Sequence, residues 1–321
     1  RKPQSTLGNR LMRVLHLNNP AQVATNLVNA QRSLGVESSL VVTSTKGWHS
    51  NFDHNLSDID TNHVKGKLAV GKKLYDLIKD CDILHYHGQA VSEGYRDLVM
   101  WSGIMSKPVI LHHHGSEIRN KQYPKFASNL VKHRYVSTPD LLEFVPDAEW
   151  LPNPVNLDNL DYSKPDTEGP LKILHAPTNR KVKNTEAVLS AISNLEEEGL
   201  DIQFTLVEDS QHSDLLQQIT SHDLIIDWLN PEFGIYGVFS IESMALGRAV
   251  ICSLTDSLYD KYDIPVVSIQ PRVLASKIKE FYNDRKLLVE VGKTGHDFVQ
   301  KHHNPVESAK KVVKQYESIL S

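Results

Sequence analysis

The densest chemistry in this sequence lies in one stretch, Gly234-Ile-Tyr236-Gly237-Val-Phe-Ser240-Ile-Glu242-Ser-Met-Ala-Leu-Gly247-Arg-Ala-Val-Ile251. Glycines let a backbone approach a ligand closely, and the free amides of a helix N-terminus attract phosphate. Glu242, early in the expected helix, has the wrong charge for a phosphate but can accept hydrogen bonds from ribose hydroxyls. The plain alternative is a carboxylate stabilised by the helix dipole. A second stretch, Ile173-Leu-His-Ala-Pro-Thr-Asn-Arg180-Lys181-Val-Lys183-Asn-Thr185, puts cations where a strand runs into a helix. Cations held out of water stabilise negative charge that develops on a bound group. A solvated basic turn is the alternative, and it is the reading adopted for Lys181.

Histidines form a third group. His85 and His87 end one expected strand, and His112 and His114 end another. Alternation along a strand places each pair on one face, and strand ends are where α/β sheets present polar groups to ligands. Four histidines raise the question of a metal, but no carboxylate or cysteine stands at supporting spacing, so neither metal nor cofactor is expected. His112 and His113 are read as structural, hydrogen-bonded histidines. His114 opens the polar run His114-Gly-Ser-Glu117-Ile-Arg119.

Such groups need elements to hold them. Short β-branched runs alternate with longer helical patterns, which predicts βα units and parallel sheets. Strands are expected at 12–17, 39–43, 82–86, 108–113, 135–137, 171–175, 202–207, 224–227 and 249–252. Helices are expected at 22–34, 185–197, 214–219, 239–246, 273–283, 285–302 and 305–319. Residues 1–9 are assigned no structure. The prolines of Leu151-Pro-Asn-Pro-Val155 fix torsions and remove amide donors, so this segment reads as a linker. The expected division is 1–155, 156–304, and a last helix within 305–321. The fold class is therefore α/β, with two Rossmann-like, doubly wound domains facing a central cleft.

The 321 residues are enough for two such cores. A net charge of -4 argues against nucleic acid as the main partner. Two distant cysteines in apolar stretches, no membrane-length apolar run and no leader pattern predict a cytoplasmic protein. Lys65, Lys67, Lys72, Lys73 and Lys79, interleaved with Leu68, Leu74, Leu77 and Ile78, form a cationic amphipathic segment. With Arg119, Lys121, Lys125, Lys132 and Arg134 they make the first domain locally basic. The segment is either a solvated face or a contact for the anionic inner face of a membrane.

Glu242-Ser-Met-Ala-Leu-Gly-Arg-Ala-Val resembles the retaining nucleotide-sugar glycosyltransferases of the GT-B fold, the group 1, family-four-like transferases. Members carry two glutamates eight positions apart. Here the first is replaced by Gly234, and Glu232 or Asp227 is the candidate substitute. The resemblance implies that Glu242 binds the donor ribose, with Gly234, Tyr236, Gly237 and Ser240 around the donor. It also implies that Lys183 neutralises the leaving diphosphate, and that His114 points at the donor sugar. The family's arginine would fall at Thr178, so Arg180 is a candidate by proximity. His87, Glu117 and Arg119 are assigned to the loop or the acceptor. Leu151-Pro-Asn-Pro-Val resembles the family's interdomain segment, the last helix, 305–321, with Tyr316, resembles the one that crosses back to the first domain, and the likeness covers most of residues 80–320. A nucleoside-diphosphate-sugar donor and a glycan or lipid-linked acceptor of cell-surface polysaccharide type are then the expected partners, without metal. A sugar-nucleotide 2-epimerase of the same fold and an inactive partner subunit are the competing expectations.

Overall fold

In the computed structural model, the described residues are 6–7, 10–44, 51–88, 91–115, 117–119, 125–158, 160–255 and 261–321. Lys121 of the expected basic patch and most of residues 1–9 lie outside them. The chain divides into two compact units, Arg1–Pro154 with Pro305–Ser321, and Val155–Asn304.

The first unit opens with a two-residue ribbon, β1 (Thr6–Leu7) against β2 (Arg10–Leu11). There follow β3 (Arg13–Leu17), α1 (Val23–Ser33), β4 (Glu37–Val42), β5 (His54–Asn55), α2 (Val64–Ile78) and β6 (Ile83–His87). A π-helical turn at Val99–Ile104 leads to β7 (Val109–His113), α3 (Lys125–Leu130), β8 (His133–Val136) and β9 (Glu149–Trp150). β3 to β9 pair in parallel in the order β5-β4-β3-β6-β7-β8-β9. Both faces are covered, as parallel sheets require. Leu15, Leu17, Leu84, Tyr86 and Leu111 pack on Leu74 and Ile78 of α2. On the other face Val14, Ile83, Ile110 and Tyr135 pack on Leu27 and Ala30 of α1 and on Val312 and Tyr316 of the last helix.

The second unit runs β10 (Leu171–His175), α4 (Arg180–Lys183), α5 (Thr185–Glu197), β11 (Ile202–Leu206), α6 (His212–Thr220), β12 (Leu224–Ile226), α7 (Val238–Ala245), β13 (Ala249–Cys252) and β14 (Val267–Ser268). It ends with α8 (Leu274–Asn283) and α9 (Arg285–His302), and α10 (Pro305–Leu320) then belongs to the first unit. The parallel order is β11-β10-β12-β13-β14. Leu171, Ile173, Leu224 and Ile226 face Val188, Ile192 and Phe281, while Leu174, Ile225 and Val250 face Ile241, Met244 and Val299. Removing a fully buried aromatic such as Phe281 would cost about 3–5 kcal/mol. Arg248 is also almost wholly buried, and its guanidinium donates to the Ile219, Thr220 and Ser163 carbonyls and to Ser163 Oγ. It ties the stretch before β10 to the end of α6.

Each sheet reverses its direction of growth at one place. In the first unit the chain builds outward from β3 through β4 to β5, then crosses to β6 on the other side. In the second it builds from β10 to β11, then crosses to β12. The crevice at such a reversal, at the carboxyl ends of the strands, is where open α/β sheets bind ligands.

Candidate functional site

In the second unit the reversal is marked by a buried ion pair. α4 begins just after β10, capped by Asn179, whose side chain accepts from the Val182 amide. It carries Lys183 inward, where the ammonium bonds Asp227 immediately after β12. Asp227 is fully buried, Lys183 is 4% exposed, and the Ser240 hydroxyl donates to the second Asp227 oxygen. The Trp228 and Phe239 rings lie 5.0 and 5.6 Å from the Lys183 ammonium. This lysine is not part of a solvated turn. It is also not an isolated cation, because Asp227 balances its charge.

Beside the pair begins α7, whose N-cap, Gly237, offers no side-chain acceptor. The first amides of α7 are therefore open to an outside acceptor. A Cβ on Gly237 would lie 2.7 Å from Trp228 Nε1, so the close approach of loop to ring requires glycine. Gly234 has φ +56°, and a Cβ there would lie 2.3 Å from Thr255 Cγ2. Glu242, one turn into α7, is buried and accepts a 2.7 Å bond from His212 Nε2 at the start of α6. That carboxylate raises the His212 pKa above the ordinary histidine value, against the opposing effect of burial.

Two residues of the expected donor group make other contacts. Tyr236 is buried in the core with its hydroxyl 3.2 Å from His303 Nε2, so it serves packing. Arg180 stays on the surface, paired in bidentate fashion with Glu208 at 2.7 and 3.0 Å. Its exposure follows from α4 being a single short turn whose inward position is taken by Lys183. Glu232 is exposed in the turn that precedes Gly234.

The first unit gathers histidines at its own reversal. Parallel register puts His16 beside His85 and His87 beside His112. Alternation sends these rings to the face covered by α1 and α10, directly beyond Val14, Ile83 and Ile110. His16, absent from the sequence assignment, completes the group. Its signal was only the alternation Leu15-His16-Leu17. His87 is 1% exposed and lies between His16 Nδ1 at 3.0 Å and His114 Nε2 at 3.3 Å. Desolvation pushes His16 and His114 down to about 4, and holds His85, His87 and His112 well below the ordinary value.

His114 is only partly buried, and its loop is held by its neighbours. Glu117 Oε1 accepts from the His114 amide at 2.6 Å. Burial would raise the Glu117 carboxyl, but His113 and His114 bring it down to about 2. Arg119 is committed to Asp140 and Thr138. Both residues shape the loop. Both cysteines are free and buried. On α2, Val64, Leu68 and Tyr75 are exposed by 50% or more among its lysines. Among the described residues, no helix is long and apolar enough to cross a membrane.

No protein-family profile and no curated protein matches this sequence. Solved structures do match. Sucrose-phosphate synthase from Thermosynechococcus elongatus aligns with a TM-score of 0.67 at 13% identity, over 96% of this chain and 99% of that one. An alpha-glucosyltransferase in complex with UDP and a 13-mer DNA containing a central A:G mismatch aligns at 0.64 and 12%, over 96% and 99%. UDP-GlcNAc 2-epimerase from Neisseria meningitidis, bound to UDP-GlcNAc, aligns at 0.58 and 12%, over 96% and 100%. The chain has the GT-B fold of glycosyltransferases, with two Rossmann-like units. Transferases and an epimerase share that fold, so the choice of activity rests on the site residues.

Proposed function

We propose that the chain is a glycosyltransferase that moves a sugar from a nucleoside-diphosphate sugar to a glycan or lipid-linked acceptor, with retention and without metal in the transfer step. The observation that carries this is the uncapped start of α7, placed beside the Lys183–Asp227 pair and one turn before a buried Glu242. The open amides bind the diphosphate and Glu242 turns from His212 to the ribose hydroxyls. Because Asp227 neutralises Lys183, the amides and the dipole of α7 supply most of the stabilisation of the leaving diphosphate. Lys183 positions that helix start through Asp227 and Ser240. By the family resemblance His114, held by Glu117, is the first unit's candidate for a sugar contact, and its depressed pKa keeps it a neutral hydrogen-bonding group.

An epimerase of the same fold is the second reading, supported by the likeness to the Neisseria enzyme. It needs groups that deliver and remove a proton at a sugar carbon. Asp227 is occupied by Lys183 and Ser240, and Glu242 is assigned to the ribose hydroxyls, which favours transfer. Incubating the protein with a UDP-sugar and no acceptor separates the two, since only an epimerase changes the sugar. A thermal-shift panel of nucleoside diphosphates and their sugars tests the donor site, because a ligand of the folded state raises stability. No stabilisation by any of them would favour an inactive subunit. The exposed Val64, Leu68 and Tyr75 among the lysines of α2 also support contact with anionic lipid, which sedimentation with phosphatidylglycerol vesicles tests.

A further inference from the structure

The imidazoles at the β3/β6 reversal play no part in sugar transfer as proposed above, and their arrangement is more ordered than a hydrophobic core needs. One nitrogen from each of His16, His85 and His87 lies within 4.8 Å of one from each of the other two. A second set, His87, His112 and His114, meets the same criterion and shares His87. The inner three side chains are almost completely buried.

The far nitrogens of the inner three are each held. His16 Nε2 donates to Gln31 Oε1 at 2.9 Å, and Gln31 Oε1 also accepts from Ser38 Oγ at 2.5 Å. Since that oxygen only accepts, His16 carries its proton on Nε2 and turns a lone pair on Nδ1 inward. His85 Nδ1 sits 2.5 Å from the Tyr316 hydroxyl, which also takes a bond from Gln31 Nε2. His87 Nδ1 sits 3.3 Å from His114 Nε2. Anchoring the remote nitrogen in this way is how proteins orient histidines that bind a metal.

Of the near nitrogens, that of His85 is unsatisfied, while those of His16 and His87 hydrogen-bond to each other, a bond that an ion between them would replace. No hydrogen-bond partner among the described residues reaches His85 Nε2, although the ring is wholly buried. Leaving such a group unmet costs about 1–3 kcal/mol. His16 Nδ1 and His87 Nε2 lie 3.0 Å apart. Two imidazole nitrogens bound to one tetrahedral zinc ion are about 3.3 Å apart, given zinc–nitrogen bonds of about 2.0–2.1 Å.

We propose that the first unit binds one zinc-class divalent ion on His16 Nδ1, His85 Nε2 and His87 Nε2, with water or hydroxide as fourth ligand. Gln31, Tyr316 and His114 hold the three rings from behind. Imidazole suits zinc, cobalt, nickel and copper. The outer set leads from His87 through His112 to the partly exposed His114, a route for the ion to reach the inner one. The site shares only His114 with the transfer reading, and that residue is not a ligand, so metal titration and nucleotide titration report on the two readings separately.

The test uses the full chain stripped with a chelator and titrated with Co2+ at neutral pH. The expected result is one equivalent bound with tetrahedral visible absorption, displaced by Zn2+, and a rise in Tm with Zn2+ alone. Binding should be lost in His16→Gln and His87→Gln, and weakened about 10–100-fold in Gln31→Leu, which removes no ligand. His63→Ala, an exposed histidine, should bind as the parent does. X-ray absorption on the unmutated Co2+ protein, counting three imidazoles, serves if the ligand variants do not fold. No stoichiometric binding would overturn the proposal. Binding that survives His16→Gln but is lost in His112→Gln would overturn the inner assignment.

Discussion

Lys183→Met is the variant whose outcome follows most directly from the structure. Removing the ammonium leaves Asp227 fully buried, with Ser240 as its remaining side-chain partner. Breaking a buried pair from one side costs about 3–5 kcal/mol, because the other charge stays without compensation. For a unit of this size each kcal/mol shifts Tm by about 2–4 °C, so the expected fall is roughly 6–20 °C. The double variant Lys183→Met/Asp227→Asn should recover most of it, since an apolar side chain beside a neutral amide replaces two charges. The assay is a double-mutant cycle in urea, with nucleoside-diphosphate affinity followed in parallel on the folded fraction. An interaction energy near zero, with each single variant as stable as the parent, would refute the reasoning and return Lys183 to the solvated surface. The cycle also separates stability from turnover. If Lys183 acts by positioning α7, the double variant regains its fold but still loses transfer rate.

Glu242→Gln should weaken binding of every nucleoside diphosphate tested by calorimetry while leaving the far-UV spectrum unchanged. Gly237→Ala should lower both Tm and nucleotide affinity, because the added methyl meets the Trp228 indole. His212 gives a pH test. Its folded-state pKa is raised, so its contribution is full below the unfolded value of about 6.5 and fades as pH rises through the folded value. The stability lost in His212→Gln should therefore be larger at about pH 6 than at about pH 9 in urea unfolding. Nucleotide binding should move the His212 titration downward in NMR as Glu242 transfers its bonds to the ribose.

Most of the scaffold was legible because parallel sheets and their helices write different periods into the chain. Leu171–His175, Ala249–Cys252, Thr185–Glu197 and Arg285–His302 fall where alternation, capping residues and glycine stops put them. The two-residue strands β5, β9 and β14 were not expected, since two residues carry no period. The site was harder to read for a physical reason. Arg180-Lys181-Val-Lys183 looks like a solvated turn, and only Asp227, 44 residues later, draws Lys183 inside. His16 is a lone histidine in an apolar strand until register sets it beside His85. Tyr236 stands in the glycine-rich loop, but the partner that claims it, His303, is 67 residues away.

Gly234 stands where the transferases that this sequence resembles carry their first glutamate. Gly234 adopts φ +56°, a left-handed conformation that costs a non-glycine residue about 1–2 kcal/mol. The Cβ of any larger residue would also drive into Thr255, whose amide donates to the Gly234 carbonyl at 3.3 Å. The turn that sets up α7 and an acidic side chain at 234 are therefore incompatible here, and Gly234→Glu should destabilise the protein and restore nothing. Of the two substitutes the sequence offered, Asp227 is committed to Lys183 and Ser240. Glu232, two residues before the glycine, is exposed, with its amide bonded to Asn230 Oδ1. If a carboxylate still meets the donor sugar, Glu232 supplies it. Glu232→Gln should then leave nucleoside-diphosphate affinity intact, raise the Kd for the matching nucleotide-sugar and lower turnover. Equal loss of affinity for nucleotide and nucleotide-sugar would place Glu232 on the phosphate side instead. No change in either would mean that this chain meets the sugar without any carboxylate from the glycine loop.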